Sequence, residues 1–229
     1  MPARNSQKLY VADTWYHVYN RGVEKRIIFL DSQDYGVFCS YLKEYLSVKD
    51  EAQLYSNLAD TNTSTSTKDS ILKALRLNNF VDEIILGAYS LMPNHFHFLI
   101  KQRNVESMDR FMSSISTRYA MYFNRKYKRV GSLYQGVYKA VLVETDEQLL
   151  QLSRYIHRNG LSLQGETLQT LSGQPSSYAE YLGMRQTSWV HSAEILSFFS
   201  KTNPSLSYET FVTQAEDMEL IAQVTIDGE

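Results

Sequence analysis

The order of apolar patterns along the 229 residues predicts an α+β fold: strand, helix, strand, strand, helix, strand, helix, then a tail of different character. Three observations carry this reading. Short aromatic and β-branched runs alternate with stripes of 3.6-residue period. A Met-Pro-Asn turn separates two of those runs. The balance of charge reverses near residue 160.

Trp15–Arg21 (WYHVYNR) is aromatic and β-branched and stops at Gly22, the mark of a strand. From Asp31 to Lys49, Tyr35, Phe38, Cys39, Leu42 and Leu46 recur at three- and four-residue steps, which predicts a helix. Residues 57–70 (NLADTNTSTSTKDS) are polar and without period, which predicts a flexible loop or insertion, followed by a short helix over Ile71–Leu77. Ile84–Leu91 (IILGAYSL) and His95–Lys101 (HFHFLIK) are strands joined by the Met92-Pro93-Asn94 turn. Asn104 is placed to cap a helix over Val105–Lys126, whose stripe is Met108, Phe111, Met112, Ile115, Tyr119, Tyr122 and Phe123. Val137–Val143 (VYKAVLV) is a fourth strand. Thr145 and Gln148 form a capping box that opens a helix to Asn159, with Gly160 as its stop.

The first six elements are the split βαβ repeat of a ferredoxin-like sandwich with an antiparallel sheet, helices on one sheet face and the other face open for a site. Residues 8–160 form this unit. Residues 161–229 form an acidic, mainly helical C-terminal extension, with apolar clusters at Ile195–Phe199 and Tyr208–Ile221.

The net charge of −2 conceals an asymmetry. Residues 1–160 carry 21 Lys and Arg against 16 Asp and Glu, whereas residues 161–229 carry 2 against 9. Between Lys101 and Lys139 nine basic residues face only two acidic ones, Glu106 and Asp109, and Arg125, Lys126, Lys128 and Arg129 are the densest run. Such a block is either the footprint of a polyanion or a solvated helix face. The single cysteine, Cys39, excludes an intrachain disulfide and a cysteine-rich zinc site, and fits a reducing, cytoplasmic setting. Neither an apolar leader at the N-terminus nor a run of about 18 apolar residues is present, so no membrane span is expected.

Alternation along a strand puts His95 and His97 on one face, roughly 7 Å apart, and Phe96, Phe98 and Ile100 on the other. Two imidazoles so placed can converge on one divalent ion, or can simply be polar residues on a half-exposed strand. On the last helix of the unit, Leu149, Leu152 and Ile156 make a core face, and Tyr155 and Asn159 lie one turn apart along its flank. A phenol there can attack a phosphodiester when a metal neutralises the phosphate, and a carboxamide oxygen suits a hard ion such as Mg2+ or Mn2+. It can equally be a packing tyrosine, one of 17 in the chain.

Leu91–Ile100 (LMPNHFHFLI) resembles the HUH motif of the single-tyrosine transposases, where U is a bulky apolar residue. Tyr16–Gly22 (YHVYNRG), Gly131–Lys139 (GSLYQGVYK) and Arg154–Asn159 (RYIHRN) resemble further family motifs in the same order. Ser176-Ser177-Tyr178 and Trp189 are similar to the tail of the REP-associated tyrosine transposase branch, so the resemblance spans about residues 8–200. It implies that His95, His97 and Asn159 hold Mg2+ or Mn2+ on a scissile phosphate. It also implies that Tyr155 attacks, leaving a 5′-phosphotyrosine and a free 3′-hydroxyl on single-stranded or hairpin DNA. Arg21, Arg125, Lys126, Lys128, Arg129 and Lys139 become the expected DNA contacts, and a homodimer is possible. The chain departs from the family in having Asn159-Gly160 where members often have Asn-Pro, and in the insertion at 57–70.

Two other functions fit parts of this pattern. A non-cleaving nucleic-acid-binding module of the same fold would lack Tyr155 or a histidine, and all three are present. A phosphoesterase with paired His-x-Ser/Thr motifs needs a second motif that His157-Arg158-Asn159 and His191-Ser192-Ala193 do not supply. His17, beside the tyrosines of the opening strand, is either near the site or, as favoured, structural, and His157, some 200° around the helix from Tyr155, is expected to be exposed.

Overall fold

The computed structural model describes residues 10–161 and 175–214, together with Glu219 and Ala222. Four strands, β1 (Thr14–Arg21), β2 (Ile84–Met92), β3 (His95–Gln102) and β4 (Lys139–Leu142), form one sheet in the order β2-β3-β1-β4. Every neighbouring pair is antiparallel. The helices are α1 (Ser32–Leu46), α2 (Glu51–Ala59), α3 (Thr65–Arg76), α4 (Ser107–Lys126), α5 (Asp146–Leu161), α6 (Tyr178–Tyr181), α7 (Ala193–Leu196) and α8 (Tyr208–Thr213). This is an α+β fold with flanking and C-terminal helices. No helix among the described residues is long and apolar enough to cross a membrane.

Strand alternation decides which layer each residue joins. Tyr16 and Val18 of β1, Leu86 and Leu91 of β2, and Phe96, Phe98 and Ile100 of β3 are buried on one face. Phe38 and Leu42 of α1 and Phe111, Met112, Ile115 and Tyr119 of α4 cover them. Asp31 caps α1 by accepting from the Asp34 backbone N–H, and both carboxylates also accept from Lys126 at the end of α4. The two covering helices are thereby tied at one end.

The other face differs from the open surface that the element order predicts. Trp15, Ala88 and Leu99 lie there against Leu149, Leu152 and Ile156 of α5 and against Tyr178, Tyr181, Ile195, Tyr208 and Val212. The reason lies in the sequence itself: α5 has an apolar stripe, and the extension carries enough tyrosine and aliphatic surface to close over it. A bulge at Gly87 shifts the β2–β3 register between Leu86 and Ala88. A Cβ on Gly87 would stand 2.8 Å from the Trp15 ring, so glycine is what lets that indole approach the strand so closely.

Several local expectations need correction. Residues 57–70 are not a loop: Asp50 caps α2, Ser64 caps α3, and the two helices form a hairpin with Ile71 its one buried residue. Serine and threonine depress helix propensity, but at a cap the same hydroxyls satisfy open N–H groups. Asn104 is not a side-chain cap, since α4 begins at Ser107 after Glu106. The fourth strand is shorter than Val137–Val143, and α5 continues through Gly160 to Leu161. The capping box forms as expected, with the Gln148 N–H donating to Thr145 Oγ1 at 3.2 Å and Gln148 Oε1 accepting from the Glu144 N–H at 2.8 Å. Of the extension, residues 162–174 and part of the expected Tyr208–Ile221 stretch lie outside the described residues.

Candidate active site

Pairing of β1 with β3 sets Tyr19 opposite His97 and Arg21 opposite His95. Alternation then adds His17 to the same face, one step diagonal from His97. The rings of His95 and His97 are 4.8 Å apart and nearly perpendicular. His97 is fully buried and His95 is half-buried. His95 Nδ1 is 2.6 Å from Asn94 Oδ1. An acceptor there holds the proton on Nδ1 and puts the lone pair of His95 on Nε2, the state that a ligating imidazole needs. His97 Nδ1 is 2.8 Å from His17 Nε2.

The helix α5 brings its phenol to this cluster. The Tyr155 ring stands edge-on to His97 at 5.4 Å and to His17 at 6.1 Å. It is half-buried, as is Asn159 one turn further along. Tyr19 stacks on both His17 (4.7 Å) and His97 (5.7 Å), and the Lys139 ammonium lies 5.6 Å over the Tyr19 ring. Arg21 on β1, opposite His95, and Lys139 on β4, opposite Tyr19, therefore flank the cluster.

The other expected DNA contacts sit elsewhere. Arg125 and Lys128 are exposed near the end of α4. Lys126 is held by Asp31 at 2.8 Å and Asp34 at 2.7 Å. Arg129 donates to Asn124 Oδ1 at 2.9 Å and lies 5.8 Å from the Phe123 ring. The segment that follows returns to the sheet end near His95. There the Gln135 N–H donates to the Arg21 carbonyl, the Val23 N–H donates to the Leu133 carbonyl, and Asn20 donates to the Gly136 carbonyl.

The structure decides the place of two further histidines. His17 is fully buried against His97 and Tyr155, so it belongs to the site. The signal was available: in WYHVYNR, alternation puts His17 and Tyr19 on one face, and an antiparallel neighbour carrying HFH brings the three rings together. His157 is fully buried, not exposed. Its Nδ1 lies 2.7 Å from Tyr208 Oη and its Nε2 2.8 Å from Ser177 Oγ, so it bolts α5 to the extension. The Tyr208 hydroxyl donates in turn to Ser153 Oγ, and Arg154 lies 3.6 Å over the Phe211 ring.

Burial pushes the His157 imidazole down to a pKa of about 3. The unfolded chain, with its histidine near 6.5, then takes up the proton first as the pH falls. The stabilisation is complete above about pH 6.5 and shrinks by up to about 1.4 kcal/mol per pH unit towards pH 3. Between pH 7.5 and 5.0 the parent should lose about 2 kcal/mol more than His157→Gln does. Urea midpoints at the two pH values measure this; equal losses in the two proteins would contradict it.

Among the described residues, no group of three or more His, Cys, Asp or Glu side chains is placed to hold a metal ion. Two imidazoles meet on this face and α5 carries a carboxamide one turn from the phenol, residue types whose chemistry fits a divalent ion. Each imidazole has a neighbour on Nδ1, as outer partners of metal-binding histidines do.

Fold and site together define an α+β protein with paired histidines on a central strand and a tyrosine helix laid over them. Residues 62–159 match the family model described as "Transposase IS200 like". Over that segment, a little under half of the chain, it is homologous to the IS200-like family of single-tyrosine, HUH-type transposases. The segment contains His95, His97, Tyr155 and Asn159 and ends at the last of them. This homology supports a role in binding and processing single-stranded DNA. Among solved structures, the chain is similar to that titled "Structure of the REP associates tyrosine transposase bound to a REP hairpin". Identity is 9%, coverage 82% of this chain and 97% of that one, and the TM-score 0.42. A second, described as a transposase from Deinococcus radiodurans R1, is 16% identical, with coverage of 68% and 98% and a TM-score of 0.28. No curated protein matches the chain.

Proposed function

We propose that the protein cuts and rejoins single-stranded, hairpin-bearing DNA with Tyr155 as the nucleophile, within a ferredoxin-like unit spanning residues 8–160. The observation that carries this reading is the Tyr155 ring standing edge-on to His97 at 5.4 Å, on a segment homologous to single-tyrosine transposases. In the step, the Tyr155 oxygen forms a bond to phosphorus as the bond from phosphorus to the 3′ oxygen breaks. The phenolic proton is lost and the 3′ oxygen gains one. The 5′ end stays on the tyrosine, and attack by a 3′-hydroxyl reverses the step without nucleotide energy.

His95, His97 and Asn159 would hold Mg2+ or Mn2+, which would neutralise the scissile phosphate and the departing oxygen. Arg21 and Lys139, flanking the histidines, orient the phosphate; Tyr19 keeps the rings in place. The other tyrosines near the motifs are poor nucleophiles. Tyr134 packs against Phe96 in the opposite layer, and burial raises its pKa. Tyr138 is buried too, its hydroxyl donating to Asp109 and paired with Tyr10. In this single chain Tyr155 already lies against its own His97, so a homodimer would not be needed to complete the site. One free cysteine, Cys39, suits action in the cytoplasm.

The deciding experiment is incubation with a labelled single-stranded hairpin and Mn2+, followed by a denaturing gel. A labelled band at the size of the protein supports the reading. If no hairpin ever gives an adduct while binding persists, the protein is a binding module. Its DNA path is tested by salt. Arg125→Ala with Lys128→Ala, both exposed, should flatten the dependence of log K on log salt by about 0.7 for each phosphate no longer neutralised. An unchanged slope would put the DNA elsewhere. Lys126→Ala is a poorer probe, because it strips a cation from buried Asp34.

A further inference from the structure

His17 is fully buried beneath α5, so it cannot touch DNA. Its Nε2 nevertheless lies 2.8 Å from Nδ1 of His97, and the two rings stack at 5.1 Å with 18° between their planes. Tyr19 stacks on both. The His97 ring is thus held in plane by a stack and in rotation by its hydrogen bond to His17.

That bond has two possible directions, with opposite consequences. With its own proton on Nδ1, His17 presents a lone pair at Nε2 and His97 donates its Nδ1–H, which puts the His97 lone pair on Nε2. In the reverse arrangement His17 donates, and His97 carries its proton on Nε2, where a cation cannot be ligated until that proton leaves.

We propose that His17 is a positioning residue which, by accepting from Nδ1 of His97, sets the tautomer and orientation in which His97 binds a divalent cation. This rests on the metal reading above. The carboxamide of Asn94 stands to His95 as the imidazole of His17 stands to His97, so each ligating ring has its own acceptor. The two acceptors differ in kind. An amide oxygen can only accept, whereas an imidazole nitrogen is an acceptor in one tautomer only, so the His97 side of the site depends on the state of a second ring.

Mn2+ affinity of the full chain, measured by calorimetry without DNA, tests this in four proteins: the parent, His97→Ala, His17→Phe and His17→Gln. His17→Phe keeps a flat ring in the stack and removes the acceptor; Mn2+ affinity should fall about 10- to 100-fold. His17→Gln restores an amide oxygen near the Nε2 position and should recover most of the loss. Single-strand binding in EDTA should be the same in the parent and the two His17 variants, which a general loss of structure would not leave untouched. If His17→Phe binds Mn2+ as the parent does while His97→Ala does not, the inference is wrong and the metal reading stands. If the parent takes up no Mn2+, or His97→Ala binds it equally well, the metal reading fails and the inference falls with it. Should the Phe variant not fold, 15N spectra of the parent decide: a proton on Nδ1 of His97 supports the proposal, and one on Nε2 overturns it.

Discussion

Tyr155→Phe should remove the covalent protein–DNA adduct from a denaturing gel and lower cleavage by on the order of 10^4-fold or more, the scale seen when a nucleophile is deleted. The change takes away one oxygen and keeps the ring, so the edge-on packing on His97 and His17 survives. Stability should move by no more than about 1 kcal/mol, because the side chain is only half-buried. Hairpin affinity and Mn2+ uptake should be unchanged, since neither uses the hydroxyl. The informative comparison is with Tyr134→Phe and Tyr138→Phe, whose hydroxyls are buried in the opposite layer. An adduct that persisted in Tyr155→Phe and vanished in one of those would move the nucleophile and leave the class of enzyme intact.

Loss of the cation should have an effect of similar size. His95→Ala and His97→Ala are each expected to reduce hairpin cleavage to background, and EDTA should do the same to the parent. The chelator is the cleaner of the two arms. His97 is fully buried in a stack with His17 and Tyr19, so its removal also leaves a cavity. EDTA changes no packing. Asn159→Ala should be milder, because water can replace one oxygen ligand around a hard ion. Undiminished cleavage in EDTA would rule out the assignment of the histidines.

That the paired histidines and Tyr155 meet on one face of the sheet is largely legible in the sequence, and the reason is periodicity. In HFHFLIK the alternation of apolar and polar residues fixes which face each ring joins, and the capping box at Thr145 and Gln148 fixes the phase of the helix that carries Tyr155. What was not legible depends on partners distant in sequence. His157 reads as exposed when its helix is considered alone, and is buried because Tyr178, Tyr181 and Tyr208 arrive from the extension. His17 joins the site only through the register of β1 on β3. Lys126 reads as part of a basic run, and the structure commits it to Asp31 and Asp34, some 92 to 95 residues earlier. The α2–α3 hairpin is hard to read for a different reason: it buries only Ile71, and the opening turns of α3 (Thr65–Ser70) are all polar, so nothing there marks a face.

The wall behind the proposed nucleophile is made of residues that leave the ribosome after it. A nascent chain that has reached Asn159 already contains every proposed catalytic group, yet Leu152, Ile156 and Leu99 still lack the cover later supplied by Tyr178, Tyr181, Ile195 and Tyr208. A premature stop in that interval should therefore yield a fragment that binds hydrophobic dyes and sediments as aggregate, rather than a smaller working protein. A truncated chain ending at residue 160 that stayed monomeric and dye-silent would show that the sheet and α5 need no such cover.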